Sequence, residues 1–132
     1  MKNYVWSLTI GFLMLSGSLL AHHGTAASYD STKSVTITGT LTKFSWTNPH
    51  CYVQLDVKGA DGQVVPWAGE LNSPGILQTA GWTKNTLKAG DEVTMTLHPS
   101  KAGTPDGVVD RSKPVTVNGK ELLPASNSAN EQ

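Results

Sequence analysis

The chain has 132 residues, 38% hydrophobic and 15% charged, and its ten basic and ten acidic side chains cancel to a formal charge of zero. No block of Lys and Arg stands out, which argues against nucleic acid or an anionic membrane surface as an obligate partner, because both demand clustered positive charge. A single cysteine, Cys51, excludes an internal disulfide, so stability must come from packing or from a bound ligand.

Lys2, the uncharged apolar run from Val5 to Leu20 and the small residue Ala21 form the pattern of a signal peptide over residues 1–21. The run is shorter than the roughly 20 apolar residues a membrane span requires and carries Ser16, Gly17 and Ser18 near its end. The expectation is cleavage after Ala21, with a periplasmic or secreted product that has no membrane attachment. The remaining chain suits one domain with a modest core.

Residues 22–33 read as a polar and mobile N-terminal arm. Alternation with a period of two then begins: Val35, Ile37, Gly39 and Leu41 share one face, and Thr36, Thr38, Thr40 and Thr42 the other. Phe44 and Trp46 fall on the opposite parity, a slip that predicts a β-bulge in a long, curved first strand. Thr47-Asn48-Pro49 ends it, and residues 50–58 form a second strand with Cys51, Val53, Leu55 and Val57 inward and His50, Tyr52, Gln54 and Asp56 outward.

Asp61-Gly62 is a hairpin turn signal that makes residues 64–71 the third strand, with Pro66 at an edge or an irregular start. Ser73 as N-cap, Pro74 at the first position and Gly81 at the end delimit a short helix. A fourth strand covers residues 92–98 and a last strand region spans Val108 to Val117, after which Asn118-Gly119 marks a turn. The domain spans residues 34–124 and a disordered polar tail residues 125–132. Five strands with a helix between the third and fourth predict a mainly β fold, a small OB-like barrel; a β-sandwich is the alternative, although it wants about seven strands and has no place for the helix.

Two constellations carry chemistry. The first is histidine-based. Cleavage after Ala21 makes His22 the first residue, whose α-amino group and imidazole can chelate one metal ion, and a second imidazole from the barrel completes a three-nitrogen site that suits Cu(II). Cleavage before Ala21 would give Ala-His-His, which binds Cu(II) or Ni(II) through backbone amides; cleavage after Ala27 would remove both His22 and His23. His50 is the best barrel ligand by parity, and Glu70 could supply an oxygen if the hairpin brings it alongside. Cys51 points the other way and is excluded, while His98, at a strand end, is the weakest histidine candidate.

The second constellation, Trp46, Asn48 and Trp67, has the aromatic and polar mixture of a peptide, small-ligand or protein-docking surface and defines a metal-free alternative. No Gly-x-Ser-x-Gly element and no Ser or Cys at signature spacing from His points to an enzyme.

Ala21-His22-His23-Gly24, Trp46-Thr47-Asn48-Pro49-His50, Trp67-Ala68-Gly69-Glu70, Ser73-Pro74, Gly81-Trp82-Thr83 and Leu87-Lys88-Ala89-Gly90-Asp91-Glu92-Val93 together resemble a family of small exported bacterial proteins, domain of unknown function 6152. The resemblance covers nearly the whole chain after the leader. It implies an exported single-domain protein with no assigned activity, in which His22, His23, Trp46, Asn48 and His50 occupy motif positions.

Overall fold

The computed structural model describes residues 25–122, so the leader, His22, His23 and the polar tail lie outside the described residues. The elements in order are α1 (Thr25–Ser28), β1 (Val35–Ser45), β2 (Tyr52–Lys58), β3 (Val64–Glu70), α2 (Pro74–Thr79), β4 (Glu92–Pro99), β5 (Asp106–Val109), β6 (Val115–Val117) and β7 (Lys120–Leu122).

β1 is long enough to serve two neighbours. Its first half, Val35 to Thr40, pairs antiparallel with β4, and its second half, Thr40 to Ser45, pairs antiparallel with β2. The register slips between Leu41 and Lys43, the bulge that the change of apolar parity predicts. β2 continues to β3, β3 pairs in parallel with β5, and β5 returns antiparallel to β4. The ring β1-β2-β3-β5-β4 therefore closes on β1. This closure, with α2 between β3 and β4, is the OB barrel and excludes the sandwich.

The inward parity predicted for β2 is part of the core: Val53 and Leu55 are buried, as are Ile37 and Leu41 from β1 and Val93, Met95 and Leu97 from β4. On the outer face, paired threonine hydroxyls link β1 to β4, Thr36 to Thr96 at 3.0 Å and Thr38 to Thr94 at 2.7 Å. α2 starts where expected. Ser73 is its N-cap and accepts from the Ile76 amide, Pro74 occupies the first turn, and Gly81 takes a positive φ of 84° just past the end. Leu77 from this helix is fully buried under the barrel with Trp82.

Two expectations are corrected. The region expected as one strand from Val108 to Val117 is two strands, β5 and β6. The Asp110 carboxylate accepts from both the amide and the hydroxyl of Ser112, which turns the chain, and Pro114 then lacks the amide a continuous ladder would need. β6 pairs with β4 and joins β7 through the Asn118-Gly119 turn, both residues at positive φ, so a small hairpin is appended to the five-stranded ring.

The arm also differs from expectation, because its described part is tied to the barrel. The Asp30 amide donates to the Pro99 carbonyl, the Lys101 amide donates to the Ser28 carbonyl, and Tyr29 forms a bridge with Ser100. These contacts with the end of β4 and the two residues after it supply partners that the composition of the arm does not advertise.

The crossing at Gly39 is tight. A Cβ there would sit 2.6 Å from the Asp56 carbonyl oxygen, a backbone atom that cannot step aside. Gly39→Ala is expected to destabilise the fold by about 1–3 kcal/mol, read as a lowered urea midpoint with an unchanged slope.

Candidate functional site

His50 closes the turn that ends at β2. The Thr47 hydroxyl donates to the His50 carbonyl at 3.1 Å, and the Asn48–Pro49 peptide inside this turn is cis. Beyond it, backbone bonds between Cys51 and both Leu71 and Asn72 extend the β2–β3 hairpin. Cys51 is consequently inward and fully buried, and burial pushes its thiol up from the ordinary range. His50, one residue earlier, faces outward with about a third of its side chain exposed.

Glu70, the last residue of β3, also points outward by parity and stands directly across from Tyr52. It is nevertheless only 9% exposed. Two side chains cover it: His50 Nδ1 lies 2.7 Å from Oε1, and the Tyr29 hydroxyl donates to Oε2 at 3.1 Å. A carboxylate can only accept, so His50 presents Nδ1–H to Glu70 and leaves Nε2 as the outward-facing nitrogen. Burial, then the charge of Glu70, holds the Tyr29 phenol far above its usual pKa. The Tyr52 phenol is raised by burial and by the same carboxylate.

The register places four outward residues in one row across the barrel: Tyr52, Glu70, Val108 and His98, on β2, β3, β5 and β4. Tyr29 from the arm lies over this row. At the far end, His98 Nδ1 is 2.8 Å from the Lys33 carbonyl and His98 Nε2 is 4.0 Å from Asp110 Oδ2. The Ser112 hydroxyl and amide, with His98 beside them, hold the Asp110 carboxyl below the usual range.

Of the residues expected from sequence, His50 and Glu70 are in contact. Trp46 packs edge-on against Phe44 at 5.7 Å, and Phe44 in turn meets Trp82 at 6.5 Å. Asn48 is exposed in the adjoining turn. Trp67 sits elsewhere, beside Leu55 in the middle of the hairpin, where it leans on the core and lines a separate depression with Pro66 and Pro105. His22 and His23 lie outside the described residues. Among the described residues no three His, Cys, Asp or Glu side chains converge on one point. Tyr29 and Asp110 belong to the site and were not foreseen; the only sequence signal was an aromatic residue in an otherwise polar arm.

The closed ring with its interposed helix defines a small OB-fold protein whose outer face carries a histidine–carboxylate–tyrosine cluster. The chain belongs to the family of unknown function DUF6152, whose model matches residues 11–111. No curated protein matches it. Among solved structures, it is similar to the mitochondrial single-stranded DNA-binding protein Rim1 from S. cerevisiae, with 17% identity, 64% of this chain and 92% of that one covered, and a TM-score of 0.40.

The raised phenol makes a pH prediction with a defined sign. A tyrosine whose pKa is raised by folding stabilises fully below about pH 10, where the unfolded chain also keeps its proton, and progressively less above it. The urea midpoint is expected to be flat from pH 7 to 8, to begin to fall near pH 9 through the buried Cys51 thiol and to fall further above about pH 10, the last part being shallower in Tyr29→Phe. An identical alkaline limb in wild type and variant would show that Tyr29 is not the group responsible.

Proposed function

We propose that this protein is an exported metal-binding module, with copper the favoured ion, in which His50 supplies the barrel ligand and His22 and His23 the ligands from the chain terminus. The contact between His50 Nδ1 and Glu70 Oε1 at 2.7 Å carries the reading. A carboxylate on one ring nitrogen fixes the tautomer and leaves the other nitrogen available, the usual support for a metal-binding imidazole. Both Glu70 oxygens are engaged, one by His50 and one by Tyr29. Glu70 therefore orients the ligand rather than serving as one.

Chain geometry supports the rest. Tyr29 and His50 share the Glu70 carboxylate, and His23 lies only six positions before Tyr29, with the single helical turn α1 between them. A terminal amine, the His22 ring and His50 Nε2 would give Cu(II) three nitrogens. Lys2 and the apolar run to Ala21 support delivery to the periplasm or the cell exterior, where such a terminus would be created by cleavage. The metal-free alternative around Trp46, Asn48 and Trp67 has less support, because the two tryptophans pack at different places on the core.

The test is native mass spectrometry of protein exported and processed by a bacterial host, with Cu(II) and Zn(II) in equal amounts. A mass starting at His22 with one retained copper is expected. Copper affinity should fall at least tenfold in His50→Ala and by about 10–100-fold in Glu70→Gln. Equal copper retention by wild type and His50→Ala, or a processed chain starting at Ser28, would refute the proposal.

A further inference from the structure

A second feature adjoins the His50 cluster through Tyr29 and lies at the His98 end of the outward row. The arm and the β5–β6 turn enclose a groove of about 310 Å³, within the size range of small-ligand sites. Its floor includes Val108, an apolar side chain on the outer face of the barrel that is 8% exposed and stands outside the main core cluster. Tyr29 and Ser31 line it from the arm, and Asp110, Arg111 and Ser112 from the β5–β6 turn.

The charges in the groove are unevenly committed. Asp110 Oδ1 accepts from the amide and hydroxyl of Ser112, and Oδ2 faces His98 Nε2. His98 is also anchored through Nδ1, which donates to the Lys33 carbonyl. Arg111 is different: among the described residues no carboxylate pairs with its guanidinium. The groove thus offers an apolar floor, an aromatic wall and one uncommitted planar cation, which is suited to bidentate capture of a carboxylate.

We propose that this groove is a binding site for a small organic carboxylate with an apolar body, the carboxylate resting on Arg111 and the body against Val108 and Tyr29. One wall of the site is the arm, so the ligand touches the same tyrosine that covers Glu70. The proposal does not depend on a metal at His50.

Phenylacetate and its neutral isostere phenylacetamide are the probes, titrated into isotope-labelled full chain that has been treated with a chelator and dialysed. Phenylacetate is expected to shift the resonances of Tyr29, His98 and Val108 and to bind at least tenfold more tightly than the amide. Arg111→Gln, a change on a surface turn, should abolish that preference while leaving the remaining resonances in place. Equal affinity for acid and amide, a preference that survives Arg111→Gln, or shifts that centre on His50 instead would each overturn the proposal.

Discussion

The architecture depends on one strand meeting two partners. β1 pairs with β4 over its first half and with β2 over its second, and Thr40 is shared between them. That double duty requires the chain to bend sharply, which the bulge between Leu41 and Lys43 permits, and requires β2 to approach closely, which Gly39 permits by having no Cβ. Once the ring closes, β5 has a single place left, parallel to β3 and antiparallel to β4. That placement inserts Val108 between Glu70 and His98 and creates the outward row on which the arm rests.

Glu70 is the point at which the fold acquires chemistry. A carboxylate that is almost fully covered needs hydrogen-bond donors, because its water has been removed. His50 and Tyr29 provide them from opposite sides in sequence, one from the turn before β2 and the other from the arm. Each such bond to a charged group contributes about 1.5–3 kcal/mol at most. The arm is tied to the barrel by directed contacts, the Tyr29 bond to Glu70 and the backbone bonds at Pro99 and Lys101.

Strand parity carried much of the local reading. The alternation in residues 50–58 separates an outward His50 from an inward Cys51, and the structure has both orientations because adjacent strand residues cannot face the same side. The Ser73-Pro74 start of α2 and the positive-φ Gly81 beyond it are legible for similar reasons: capping and turn chemistry act within a few residues. The break at residues 110–114 was missed because Val108, Val115 and Val117 keep an apolar signal going across a turn made by the Asp110 side chain.

What the sequence by itself determined is the set of local devices: the period of each strand, the bulge, the helix caps, the turns, and the order of elements that implies a five-stranded OB barrel. The tertiary structure alone decided that Tyr29 would meet Glu70 from 41 positions away, that His98 would share a row with Glu70, and that Trp46 and Trp67 would stand apart. The physical reason is range. Periodicity and turn chemistry are properties of neighbouring residues, whereas cross-barrel neighbours are set by the register at which the ring closes, and each closing contact is paid for in loop entropy that no short stretch of sequence records.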